Sequence, residues 1–182
     1  MTDGIFRLSD RVFRPWKNGG GETAEITVSP PGADFETFDW RISTAIVAAS
    51  GPFSTFPGVD RVLTVLEDGA MVLTIGAQDH LLDSTSAPFV FPGDLSAAAQ
   101  LTDKALLDFN VMVRRPLRAQ VVRGPLQPGH RDASTRAQLA LLLEDRAGLA
   151  RLDLVDLDAI APSLAAALSG TSALNVRIFS AA

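Results

Sequence analysis

Arg61-Val62-Leu63-Thr64-Val65-Leu66-Glu67-Asp68-Gly69-Ala70-Met71-Val72-Leu73-Thr74-Ile75 is the stretch whose reading decides the fold. Two short apolar runs, rich in β-branched residues, flank Glu67-Asp68-Gly69. Runs of this length closed by turn residues read as strands rather than helices. An Asp-Gly pair supplies the positive φ of a tight turn, so the segment is predicted to be a β-hairpin.

The same grammar extends outward in both directions. From Glu22 to Ser29 the chain alternates, with Ala24, Ile26 and Val28 apolar and Thr23, Glu25 and Thr27 polar. From Phe38 to Val47, Phe38, Trp40 and Ile42 oppose Asp39, Arg41 and Ser43. A period of two puts alternate side chains on opposite faces of a sheet. Pro88 to Asp94 reads as a short buried strand ending in a turn, and Leu106 to Arg115 alternates until Pro116 stops it. The first 120 residues offer no helix long enough for a parallel α/β fold, so the expected class is all-β, a sandwich or barrel with little helix. Beyond Pro116, residues 123–132 read as a loop, and Ala137 to Leu143 suits a helix by propensity. The turn-like Asp145-Arg146-Ala147-Gly148 between apolar runs argues instead for a second, shorter sheet. In that reading only Ser163 to Leu168 is helical, and a strand from Asn175 to Phe179 closes the chain.

Composition narrows the function. Hydrophobic residues make up 47% of the 182 and charged residues 20%, as in a globular chain able to bury a core. A net charge of -5 without basic runs argues against nucleic acid as a partner. No apolar stretch is long enough for a membrane helix, and the first residues lack the pattern of a signal peptide, so a cytoplasmic protein without membrane association is expected. The absence of cysteine excludes disulfides and thiol nucleophiles.

Motifs for covalent or metal chemistry are missing as well. The two histidines, His80 and His130, lie far apart in sequence, whereas zinc and non-haem iron sites usually draw on two or three. No metal or other cofactor is therefore expected. Gly-x-Ser-x-Gly is absent, and Gly19-Gly20-Gly21 is neither a P-loop nor a dinucleotide fingerprint, because a strand follows it and no Gly-Lys-Ser/Thr does. What remains is polar side chains on alternating strand faces, each of which taken singly would meet water in a one-sided antiparallel sheet. Arg14-Pro15-Trp16-Lys17-Asn18-Gly19-Gly20-Gly21 stands out, because three glycines permit positive φ or close approach to a ligand. Arg41 with Ser43, Thr23 with Glu25, Arg61, and Asp108 with Asn110 and Arg114 complete the polar set. Several arginines with an asparagine and a lysine suit a small carboxylate, because guanidinium binds it bidentately. Trp16 and Trp40 are candidate apolar walls.

These blocks resemble the HutD/Ves family of cupin-type proteins. The landmarks are Pro15 to Gly21 with Thr23 and Glu25, then Trp40-Arg41-Ile42-Ser43. Gly51 to Arg61 follows, and Asp108 to Arg115 completes them. The resemblance implies a bicupin, two small β-barrels or jelly rolls. Residues 1–116 would form the first barrel with the main pocket, and 117–182 a second, smaller one, with N-terminal strands free to swap into it. Where a metal cupin would carry His-x-His, this chain has Pro57, Gly58 and Asp60. The resemblance further implies a metal-free protein that regulates or senses histidine utilisation by binding a small anionic metabolite of the formylglutamate, formiminoglutamate or urocanate class. Carried onto this chain, its pocket candidates are Trp16, Lys17, Asn18, Glu25, Trp40, Arg41, Ser43, Arg61, Asn110 and Arg114, with no catalytic residue among them. The alternatives are a metal-independent acid/base enzyme, with Glu25 or Asp108 as base and Lys17 as acid, a Ves-like stress-associated protein, and an interaction scaffold. A homodimer is open to such sheets, which pair across edges or faces.

Overall fold

The structure, a computed structural model, describes residues 3–127 and 131–181, so His130 lies outside the described residues. The chain divides into two compact units, one formed by the residues through Arg11 together with those from Pro116 on, the other by Val12–Arg115. The first strand, β1 (Ile5–Phe6), belongs to the former unit.

In the Val12–Arg115 unit the strands are β2 (Arg14–Pro15), β3 (Gly21–Ser29), β4 (Trp40–Val47), β5 (Gly51–Phe53) and β6 (Val59–Asp68). They continue with β7 (Met71–Ile75), β8 (Gln78–Leu82), β9 (Phe89–Pro92), β10 (Ala97–Leu101) and β11 (Leu106–Arg114). A six-stranded sheet runs β2-β3-β4-β11-β6-β9 and a four-stranded one β5-β10-β7-β8. Val47, Leu63, Val65 and Leu106 of the larger sheet pack with Met71, Leu73, Ile75, Ala97 and Ala99 of the smaller. Removing water from these apolar faces, at about 25 cal/mol per Å2, is what holds the two sheets together.

The expected Arg61–Ile75 hairpin is not one. Two strands do occupy the segment, but β6 pairs with β11 and β9 while β7 pairs with β10 and β8. Asp68, at φ 68°, and Gly69 form a corner at which the chain leaves one sheet for the other. A Cβ on Gly69 would lie 2.4 Å from the Lys104 carbonyl oxygen, so the corner needs glycine for space. Each run finds better apolar partners across the sandwich than in its sequence neighbour. Residues 88–94 also differ from the expected buried run, because Phe91 is buried while Val90 of the same strand is 62% exposed.

The other unit holds β12 (Leu117–Pro125), β13 (Thr135–Leu142), β14 (Leu154–Asp156), helix α1 (Pro162–Leu168) and β15 (Ser172–Ser180). Its sheet runs β1-β14-β13-β15-β12. The Ala/Leu-rich run is a central strand with Ala137 to Leu142 buried throughout, so burial on both faces overrides helix propensity there. β12 is an alternating edge strand whose last residues, Arg123 to Pro125, read from sequence as the start of a loop. The expected helix is present as α1, whose Leu168 closes a core of Ala140, Leu142, Val155 and Ala173. Asp153, only 1% exposed, accepts from the Leu8 and Ala150 N–H groups at 2.7 and 3.0 Å, which ties the N-terminal segment to this unit. Among the described residues no helix is long and apolar enough to cross a membrane.

Candidate functional site

The polar candidates gather on one face of the six-stranded sheet. Registers place Glu25 opposite Ser43, Ser43 opposite Asn110, and Asn110 opposite Leu63. The adjacent rung on that face is Val28, Arg41, Met112, Arg61 and Phe91, and the one on the other side is Thr23, Ala45, Asp108 and Val65. Directly opposed side chains on a pair have Cβ atoms roughly 4.5–5.5 Å apart, so four strands deliver one contiguous patch. A bulge in β3 between Glu25 and Thr27 makes Ile26 the extra residue and brings Val28, not Thr27, onto the Arg41 rung. The strict alternation expected for Glu22 to Ser29 therefore breaks at the site.

Arg61 is the deepest cation, 8% exposed. Its Nη2 donates to Asn110 Oδ1 at 3.1 Å, and Asn110 Nδ2 donates to Asp108 Oδ1 at 2.6 Å. The guanidinium carbon lies 5.0 Å from the centre of the Phe91 ring and 5.6 Å from those of Phe53 and Phe56. Its buried Nε has no partner among the described residues. Burial lowers the Arg61 pKa to about 10, partly offset by Asp108, with Arg41 adding to the depression. Asp108, 1% exposed, is pushed up to about 7 by burial, against the opposing pull of Arg61, the Ala45 N–H and the Asn110 amide. The core of the patch is therefore a buried cation whose Nε has no partner among the described residues, joined through a carboxamide to an acid whose pKa burial raises to about 7.

Arg41 forms the outer half. Its Nε donates to Glu25 Oε2 at 2.8 Å and its Nη1 to Ser43 Oγ at 3.4 Å, beneath the Phe35 ring at 4.7 Å. The Glu25 side chain is 45% exposed, so this ion pair sits at the rim and holds little energy against a competing anion. Trp16 joins through Phe53, edge-to-face at 6.0 Å, and its Nε1 donates to Thr23 Oγ1 at 2.7 Å.

Other candidates lie elsewhere or do structural work. Trp40 is out of phase with Arg41 on β4 and faces the opposite side of the sheet, away from Trp16. Lys17 and Asn18 are exposed at a turn, where Asn18 Oδ1 accepts the Gly20 N–H at 3.0 Å. Gly19 has φ 71°, and a Cβ on Gly21 would sit 2.3 Å from the Ile46 carbonyl oxygen and 3.1 Å from the Trp16 ring. The triglycine is thus used by the turn and by Trp16 packing. Arg114 donates to the Phe38 and Phe35 carbonyls at 3.0 and 3.1 Å and pins the loop that carries Phe35 over Arg41. Asp108, named from sequence in the polar set and as an alternative base, joins the pocket candidates through Asn110, and the four phenylalanines are additions that the sequence did not single out. The one signal for two of them was Phe53 and Phe56, three apart in the Pro/Gly-flanked Gly51–Gly58 block. Among the described residues no group of three or more His, Asp or Glu side chains is placed to hold a metal ion.

HutD from Pseudomonas fluorescens SBW25, solved in a formate condition, superposes with a TM-score of 0.76 at 29% identity, covering 98% of each chain. A conserved protein of unknown function from Pseudomonas aeruginosa PAO1 gives 0.70 at 31% identity over 97% of this chain and 91% of that one. Protein Ves of Cronobacter sakazakii is 44% identical over 119 residues, a segment that spans only 64% of either protein. With the HutD family model matching residues 8–176, this mostly-β chain belongs to the HutD family.

Proposed function

We propose that the protein binds a small carboxylate metabolite, without a metal, in the Arg61–Arg41 patch, and that it senses or regulates histidine utilisation through that ligand. The observation that carries the reading is Arg61: a guanidinium 8% exposed, ringed by phenylalanines, bonded to the Asn110 amide, and with an Nε that has no partner among the described residues. A buried, incompletely paired cation is costly to keep, and a carboxylate is the group that compensates it. Arg41 lies close enough to depress Arg61 and can release Glu25 to join it as a second clamp. The ligand's carboxylate would take Arg61 Nε and Arg41, and its N–H group would be accepted by Glu25, which matches formylglutamate, formiminoglutamate or urocanate in kind.

Calorimetric titration with those three compounds and with formate tests this. Heat from at least one, with a rise in Tm, is the expected result, since a ligand that binds only the native state stabilises it. Silence from all four removes the sensing role.

A second reading rests on Asp108, whose pKa of about 7 is that of a general base poised at working pH. Turnover of a bound metabolite that disappears in Asp108→Asn while binding persists would favour a metal-independent enzyme. The Ves-like alternative places the same pocket in a stress response.

A further inference from the structure

The unit containing β12 to β15 has a cleft of its own, about 290 Å3, lined by Gln120, Val122, Gln138, Leu157, Asn175 and Arg177 among others. Its size is at the lower end of small-ligand sites, roughly 300–1,000 Å3. We propose that this cleft is a second ligand site, and that it takes a small neutral carboxamide. The proposal draws only on this unit and is independent of the carboxylate reading.

The cleft is built by strand register. On β15, Ala173, Asn175 and Arg177 share a face. Gln120 on edge strand β12 and Gln138 on β13 flank Arg177, while Val122 and Ala140 flank Asn175. Farther along that face, Ala140, Leu142 and Ala173 are sealed by Leu168 of α1. The face is thus divided into a closed apolar end and a polar end that opens as the cleft.

Two observations select the ligand. The Asn175 Nδ2 points at the carbonyls of Val122, Gly124 and Pro125 at 3.4–3.5 Å, which fixes the amide's orientation. Its Oδ1 is then buried with no partner among the described residues, an acceptor that asks for an N–H donor. Arg177 is already neutralised: its Nη2 donates to Asp132 Oδ2 at 2.5 Å and to the Ser134 and Thr135 hydroxyls at 3.3 and 3.2 Å, while its Nε donates to Thr135 at 3.3 Å. Ser134 and Arg177 hold the Asp132 carboxyl far below the usual carboxylate range, so this counter-ion stays charged and an incoming anion must displace it. Nη1 is the guanidinium nitrogen outside these bonds, and it suits a neutral carbonyl. A molecule with N–H and C=O on one carbon, no net charge, and a short apolar stub for Val122 and Leu157 offers a donor to Asn175 Oδ1 and an acceptor to Arg177 Nη1. That is a primary carboxamide.

The test is an amide-resolved NMR titration of the whole chain with isobutyramide, its charged isostere isobutyrate, and formate. Isobutyramide is expected to move the Asn175, Gln120 and Gln138 side-chain amide signals saturably, with Kd on the order of 1–10 mM, and isobutyrate to bind there at least about tenfold more weakly. Formate is expected to move the Arg61 rung alone. Asn175→Leu should abolish the isobutyramide response and Gln120→Ala, on the exposed edge strand, should weaken it at least threefold (about 0.7 kcal/mol), whereas Arg61→Met should leave it intact. Absence of saturable movement, equal binding of isobutyrate, or full affinity in Gln120→Ala overturns the proposal, as does loss of the response in Arg61→Met.

Discussion

At the scale of single residues, the site is a problem of charge burial. Asp108 is pushed up from the usual 3.8 to about 7, burial first among the causes. Its folded pKa exceeds its unfolded one, so the stability this group contributes is fully present below about pH 4 and is lost as pH rises toward 7. Denaturant unfolding from pH 4 to 8 should therefore show a fall that Asp108→Asn flattens, by a few kcal/mol across the window. An unchanged slope in the variant would place the titration elsewhere. The same linkage reaches the ligand: an anion on Arg61 favours protonated Asp108. Formate binding should take up a proton near neutrality, weaken as pH rises through about 7, and give calorimetric enthalpies that depend on buffer ionisation heat. Buffer-independent enthalpies at pH 7 would uncouple the two groups.

Among elements, the turn from Trp16 to Gly21 separates glycines by what each must do. Gly21→Ala puts a methyl 2.3 Å from the Ile46 carbonyl oxygen and against the Trp16 ring, and should cost about 3 kcal/mol or more. Gly19→Ala meets nothing within 4 Å but carries φ 71°, so only the left-handed strain of about 1–2 kcal/mol applies. Gly20→Ala has no contact closer than 3.4 Å and no positive φ, and should be close to neutral. Chemical denaturation of the three variants checks the order, and a mild Gly21→Ala would refute the packing account. The same turn shows what sequence reveals and hides. Three glycines announce a special backbone, but whether they serve a ligand or an aromatic ring depends on Ile46 and Trp16, which only register brings near. The bulge at Ile26 and the corner at Asp68-Gly69 were hidden likewise, because each is decided by a partner strand distant in sequence. Strand identity was legible wherever alternation was strict, as in β4 and β11; in β13, where burial covers both faces, it was legible only through the turn-like residues that follow it.

For the molecule as a whole, the N-terminal segment belongs with the C-terminal unit, and Asp153 is its anchor. Asp153→Ala frees the Leu8 and Ala150 N–H groups and the Arg7 ion partner at 3.7 Å, and should lower Tm by roughly 5–10 °C, with β1 and β14 losing hydrogen-exchange protection first. Uniform loss of protection would contradict that placement. The all-β class could be read from period-two patterning, as could the shared faces of Arg41 with Ser43 and of Thr23 with Glu25; that Glu25, Arg41, Ser43, Arg61 and Asn110 meet depends on strand pairing, which the sequence suggested only through its family resemblance. Period two already set Trp40 opposite Arg41, whereas Lys17 and Arg114 could not be sorted that way, since exposure at a turn and capture by a loop carbonyl are three-dimensional facts. The proposed metabolite-binding function returns to whether the buried guanidinium of Arg61 captures a carboxylate. Formate titration calorimetry on the wild-type chain, Lys17→Ala and a folded Arg61→Met decides it most directly. Saturable heat in the first two and at least a tenfold loss of affinity in Arg61→Met, about 1.4 kcal/mol, is the outcome required; equal affinity in all three would contradict it.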